Sequence, residues 1–218
     1  MKALVYEGLK TLENRDTPMP VFAPGEHLVR IHAVGICGSD LHAYLGHDER
    51  RPAPLILGHE AAGVVENGPQ KGRRVTINPL VSCGTCSYCK AGRENLCPDR
   101  QIISMPPRPG AFAQFVSIPE QNLVTVPDDF PLEKAALCEP LAVSWQAAKT
   151  AIEKLHPSMD HRALVIGGSA IGLAAALALK AMGAERIDVT EPNEARRAFL
   201  NERCNVTAFD APQNTASI

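Results

Sequence analysis

The sequence predicts a mixed α/β chain: a β-rich first part curled into an irregular antiparallel barrel, then the opening of a β-α-β unit. Three observations predict it. Residues 1–80 are short apolar runs such as KALVY, HLVRIHAVGI, AAGVVE and RRVTINPL, divided by Pro and Gly, which is strand texture rather than helix. Between Leu132 and Leu155 the period changes, with Ala135, Ala136, Leu137, Leu141, Trp145, Ala148 and Ile152 at helical spacings. After His156 an apolar strand, RALVIGG, runs into glycines and then a helix of small apolar residues.

Taken in order, the early strands are followed by a cysteine-rich stretch and then by AFAQFVSI and NLVTVP. These last two alternate with period 2 and extend the antiparallel fold toward closure. The helical stretch comes next, and His156, Pro157, Ser158 and Asp160 interrupt it, predicting a junction there. Residues 1–156 are thus one domain, with a lobe at 80–99, and 157–218 the start of a second. In the second, SAIGLAAALALKAMGA reads as a helix, RIDVTE as a strand and NEARRAFLNERC as another helix; NVTAFD offers one more short strand.

Composition limits the function classes. A chain of 218 residues with 45% hydrophobic and 21% charged residues has material for a core and for two domains. Its net charge of −2 argues against a general nucleic-acid binder, which needs a clear Lys/Arg excess. No apolar run approaches the roughly 18 residues of a membrane span, and the start, MKALVYEG, carries no leader pattern. The expectation is a cytoplasmic protein with neither nucleic-acid nor membrane partner.

The segment CGTCSYCKAGRENLC places Cys83, Cys86, Cys89 and Cys97 with two, two and seven residues between them. Thiolates are soft ligands, and two-residue gaps let a turning backbone bring successive sulfurs to one tetrahedral centre, with Gly84 and Gly92 at the tight turns. A secreted disulfide framework fits poorly, because the chain has seven cysteines and no leader. The spacing predicts a structural zinc. Lys71, Arg73, Arg74, Lys90, Arg93 and Arg100 surround this stretch, so a noncatalytic zinc-ribbon module binding nucleic acid or protein stands as the alternative.

Upstream, ICGSDLHAYLGH and LILGHEAAGVV carry Cys37, Asp40, His42, His59 and Glu60. Thiol, imidazole and carboxylate are the donor types of a catalytic zinc, which needs three protein ligands and one open position. Each alone is weak: a single cysteine is commonly a small buried side chain and a single histidine a satisfied polar one.

The C-G-S-D-L-H run at Cys37–His42, G-H-E-x-x-G-x-V at Gly58–Val65 and the four-cysteine lobe together resemble the zinc-dependent medium-chain alcohol dehydrogenases, in particular their polyol (sorbitol) and threonine dehydrogenase branch. The resemblance continues through the glycine turn and spans essentially the whole sequence. It implies a GroES-like catalytic domain holding two zincs, then a Rossmann domain for a nicotinamide cofactor, incomplete in this chain. It implies Cys37 and His59 as catalytic-zinc ligands and Glu60 as a carboxylate on or beside the metal. Glu139, in LCEPLAV, falls where the polyol branch has its glutamate, with Cys138 as the alternative donor. Asp40 is implied to orient the imidazole, Ser39 to accept the alcohol proton and His42 to relay it toward solvent. Zinc then serves as the Lewis acid for hydride release to the nicotinamide.

The dinucleotide fingerprint positions read Gly167, Gly168, Ser169, Ala170, Ile171, Gly172. A serine stands where the middle glycine normally lets backbone amides approach the pyrophosphate, and Gly168 is the candidate to compensate. Glu191, nineteen residues after Gly172, is placed to accept from ribose hydroxyls and to repel a 2′-phosphate, which favours NAD. Arg196, with Arg197, keeps NADP open. The implied activity is oxidation of a secondary alcohol, polyol or sugar-like alcohol by a homo-oligomer, dimer or tetramer when full length. A whole dinucleotide fold needs a second mononucleotide half, so a fragment of a longer enzyme is the expectation.

Overall fold

The computed structural model describes residues 1–156 and 161–210; Pro157, Ser158 and Asp160 of the expected junction, and the polar tail beyond Asp210, lie outside the described residues. The chain forms two compact units, Met1–Glu139 and Pro140–Ile218.

The first unit opens with β1 (Lys2–Gly8), β2 (Thr11–Asp16), β3 (Glu26–Gly35), the short helix α1 (Gly38–Tyr44), β4 (Leu55–Ile56), β5 (Glu60–Val65), β6 (Arg74–Ile77) and β7 (Leu80–Val81). It continues through α2 (Ser87–Lys90), β8 (Gln101–Ile102), β9 (Phe115–Pro119), β10 (Leu123–Thr125) and α3 (Leu132–Ala135). Five strands pair antiparallel in the order β10-β6-β5-β3-β9, beside β2-β1-β4 and the small β7-β8 pair. Residues 112–114 stitch the sheets together: Leu4 N–H donates to the Phe112 carbonyl (2.8 Å), Gln114 N–H to Lys2 (3.0 Å) and Ile31 N–H to Gln114 (2.9 Å). The curled, barrel-like arrangement that alternation predicts is the result.

Coverage of both faces explains the small residues of β5. Ala61 faces the main core with Val29, Val65, Val75, Ile77 and Ile118, whereas Ala62 packs on the opposite face with Leu132, Ala135 and Ala136. With both faces covered, the strand reads EAAGVV without a polar alternation. In β3 the register against β5 shifts by one residue between Ile31 and Ala33, a bulge of the kind that re-aims side chains beside sites. Beyond it Gly35 pairs with Glu60, so Cys37, just after β3, and His59, just before β5, meet at one end of the ladder.

The second unit begins with most of α4 (Cys138–Ile152), followed by β11 (Arg162–Ile166), α5 (Ala170–Ala181), β12 (Arg186–Thr190), α6 (Glu194–Arg203) and β13 (Thr207–Phe209). Its three strands are parallel in the order β11-β12-β13, the βαβαβ pattern of a dinucleotide-binding half. The division between units falls at the start of α4, not at 156. The reason is packing: Ala148 and Ile152 of α4 join Ala178 and Leu179 of α5 in one cluster, and Ser144 Oγ donates to the Ile171 carbonyl (3.2 Å).

Candidate metal centres and cofactor turn

In the lobe the four sulfurs of Cys83, Cys86, Cys89 and Cys97 lie within 4.8 Å of one another. Sγ of Cys89 is 3.5 Å from that of Cys86 and 3.9 Å from that of Cys83. A disulfide needs about 2.05 Å, whereas four sulfurs about 2.3 Å from a tetrahedral zinc stand about 3.8 Å apart. The backbone supports this geometry, since Gly84 and Gly92 take φ of +70° and +68°. Amide N–H groups of Cys86 and Cys89 point at the sulfurs three residues earlier (3.4 and 3.5 Å). Backbone amides pull the Cys83 thiol down to about 6, while burial, and then the thiol of Cys86, push Cys89 up to about 11. Closely packed thiols cannot all ionise unless a cation joins them.

Four of the six basic residues around the lobe are engaged within the chain. Arg73 donates to Thr125 Oγ1 (2.9 Å) and the Leu123 carbonyl (3.0 Å), Arg74 to the Phe130 carbonyl, and Arg100 to that of Cys97 (3.2 Å). The Arg93 guanidinium sits 5.7 Å from the Tyr88 ring centroid.

The mixed site gathers Cys37, His59 and Glu60, whose donor atoms also lie within 4.8 Å of one another. Asp40, 3% exposed, ties its two strands of chain together. One carboxylate oxygen accepts from Cys37 N–H (3.0 Å); the other accepts from Gly58 N–H (3.1 Å) and lies 3.5 Å from Ser104 Oγ and 3.7 Å from His59 Nδ1. Ser104, wholly buried with φ +71°, is a member of this network that sequence reasoning missed; only its contact with Asp40 marks it. Two buried polar atoms of these segments, His59 Nδ1 and Ser39 Oγ, make no hydrogen bond among the described residues. A thiol, an imidazole and a carboxylate converging within 4.8 Å fit the donor set of a three-ligand zinc site.

Glu139 lies outside that tight cluster but near it. Burial raises its carboxyl above the usual range, the His59 charge opposes this, and the Glu60 charge adds to it. Cys138 is exposed and also outside the cluster. His42 is exposed at the end of α1, its ring centroid 6.2 Å from that of His47.

At the cofactor turn Gly167 adopts φ +96° between β11 and α5, and a Cβ on Gly172 would overlap the Gly167 carbonyl oxygen. These are the turn and close-packing roles of the first and third fingerprint glycines. Gly168 has a different reason to be glycine from the compensation the sequence suggests. A Cβ there would meet Leu200 Cδ1 at 2.5 Å and Glu191 Cβ at 3.1 Å. Ser169 is the exposed residue that enters α5. A cleft of about 440 Å³ is lined by Gly168, Ser169, Ala170 and Arg196, and also by Leu173, Ala195 and Phe199, which the fingerprint does not mark. Ile171 instead faces α4 through its carbonyl. Glu191 is 3% exposed, with its oxygens accepting from the N–H of Gly168 (2.8 Å) and Asn193 (2.9 Å). Those amides, Asn193 first, hold its carboxyl below the usual range. Arg196 Nη1 stands 3.7 Å from it, while Arg197 is spent on the carbonyls of Glu191 and Pro192 (2.8 and 2.7 Å).

Comparison with known proteins agrees with this construction. The family described as alcohol dehydrogenase GroES-like domain matches residues 23–128. Sorbitol dehydrogenase of Bacillus subtilis is 39% identical over 88% of this chain and 56% of its own length. By these matches the chain resembles the medium-chain alcohol dehydrogenases, in particular their polyol branch. L-idonate 5-dehydrogenase of Vitis vinifera, another relative, is 35% identical over 89% of the chain and 55% of its own length. The crystal structure of galactitol-1-phosphate dehydrogenase from Escherichia coli superposes with a TM-score of 0.88 at 26% identity, over 99% of this chain and 63% of that one. The chain therefore spans a little over half the length of these curated medium-chain relatives. Their match runs along the chain as dehydrogenases, which leaves the zinc-ribbon alternative without support. Among the described residues no helix is long and apolar enough to cross a membrane.

Proposed function

We propose that the protein is a zinc-dependent oxidoreductase that takes hydride from a secondary alcohol, a polyol or sugar-like alcohol, to NAD. The observation that carries the reading is the convergence of the Cys37, His59 and Glu60 donor atoms within 4.8 Å of one another. In it Cys37, His59 and Glu60 hold the catalytic zinc, with Glu139 close enough to complete or exchange into the set, and the four lobe thiols hold a structural one. Bound zinc would supply Lewis acidity to the substrate hydroxyl. Asp40 places its charge 3.7 Å from His59 Nδ1, which favours Nε2 as the nitrogen given to metal. Ser39 Oγ accepts the alcohol proton while passing its own hydroxyl proton on, and exposed His42 accepts one on its imidazole nitrogen and gives it to water. A cytoplasmic dimer or tetramer acting on a small-molecule alcohol, without nucleic acid or membrane, completes the reading.

Two measurements test it. Elemental analysis of protein purified without chelator will give about two zinc ions per chain, and Cys37→Ser about one. A value near one for the unaltered protein removes the mixed site. Alcohol-dependent NADH formation by the intact enzyme tests the activity itself.

NAD preference rests on Glu191. Its oxygens each accept one amide N–H and keep a lone pair for a ribose hydroxyl, while its charge opposes a 2′-phosphate beside Arg196. Glu191→Ala will reduce the NAD-over-NADP ratio of kcat/KM by about tenfold or more. A ratio already below unity in the unaltered enzyme would take this role from Glu191.

A further inference from the structure

We infer that Gly35 is a positioning residue: its missing side chain is what allows the Glu60 carboxylate to stand with Cys37 and His59 in one donor cluster. The inference rests on reading that cluster as a metal site. Gly35 and Glu60 are directly opposed in the β3–β5 ladder, the last pair before the chain turns toward Cys37 on one side and His59 on the other. A Cβ at position 35 would overlap Glu60 Oε2 and approach Glu60 Cβ and Cδ to 3.1 and 3.3 Å. The three nearest neighbours of that added atom all belong to Glu60.

Nothing else in the backbone calls for glycine here. Gly35 is not among the residues with positive φ, so alanine fits its conformation, and glycine within a strand ordinarily weakens it. Two other glycines of this unit show the contrast. A Cβ on Gly63 would strike the Arg30 carbonyl, and one on Gly110 the carbonyls of Leu57 and Gly58. Substitution there pushes backbones apart. At Gly35 it pushes one carboxylate, which is 6% exposed at the residue level and is one of three donors within 4.8 Å.

Gly35→Ala will therefore act on the metal through Glu60 and leave the fold and the lobe as they are. The test is a Co²⁺ titration, followed by visible absorption, of chain whose lobe is already filled with zinc. It compares the unaltered protein, Gly35→Ala, Glu60→Ala and the double variant, with thermal unfolding of each. The expected result is an affinity about 10- to 100-fold weaker for Gly35→Ala, of the size seen when a ligand loses its support, with altered cobalt bands and lobe zinc unchanged. On the Glu60→Ala background the same substitution will change affinity by less than about twofold, since the group it displaces is gone. Where Glu60→Ala binds Co²⁺ too weakly to measure, Glu60→Asp replaces it; its carboxylate is drawn back by one methylene, so alanine at 35 will cost less than it does opposite glutamate. Equal losses on both backgrounds, or no loss opposite Glu60, overturn the inference. Absence of any cobalt site in the unaltered chain removes instead the metal reading beneath it.

Discussion

Cys97→Ser protein will carry about one zinc ion per chain in place of about two, and the lobe will become the first point of proteolytic cleavage. From residue 82 to 100 Cys97 is the one buried side chain, wholly inaccessible, while its neighbours are half-buried or exposed. The lobe has no apolar core of its own. Its regular structure is the four-residue α2 and a single 3₁₀ turn at Glu94–Leu96, both far below the length at which a helix persists unaided. Ordering about fifteen residues costs on the order of 20 kcal/mol, and with so little burial a zinc on the four thiols, as proposed above, would be the main force offsetting it. Serine offers no thiolate and puts a hydroxyl in a buried position. Limited proteolysis with mass mapping, beside zinc analysis, checks this; a variant that keeps two zincs and resists cleavage would show that packing holds the lobe.

The second large effect is at Asp40. Asp40→Ala will lose the mixed-site metal while keeping lobe zinc, and will destabilise the first unit by about 3 kcal/mol. Its carboxylate receives the buried N–H groups of Cys37 and Gly58, at 3.0 and 3.1 Å, and stands beside Ser104 and His59. Alanine strands both amides. Those amides belong to the segments carrying Cys37 and His59, so the same loss frees the ligands to separate. Asp40→Asn keeps one acceptor oxygen and turns an NH₂ group toward a donor, and it will fall between the two. Chelator competition monitored by zinc release, with denaturant unfolding alongside, measures both parts. Metal retention by Asp40→Ala at unaltered affinity would show that the two ligand segments are held by the β3–β5 ladder alone.

Much of the strand pattern was legible from apolar runs: β1, β3 and β9 show alternating burial, while β5 and β10 fall on the short apolar runs that mark them. β2 was not. All six of its residues, TLENRD, are exposed, so it carries no alternation, and its pairing with β1 is what makes it a strand. Likewise α4 reads as a helix from its spacing, but its attachment to the second unit depends on which neighbours Ala148 finds.

The sequence by itself determined the lobe, since four thiols within fifteen residues need little beyond local turns at Gly84 and Gly92 to converge. It also determined the strand-turn-helix at Gly167–Gly172, where close packing demands glycine over a few residues. The donor atoms of Cys37, His59 and Glu60, which the family resemblance joined, come within 4.8 Å of one another only through the tertiary structure, which also decided that the Glu60 carboxylate lies against Gly35, that Ser104 reaches Asp40, and that Glu191 is already clamped by two amides. The physical reason is separation along the chain. These contacts follow from the register of paired strands and a one-residue bulge in β3, and a ladder's register is a property of both strands together.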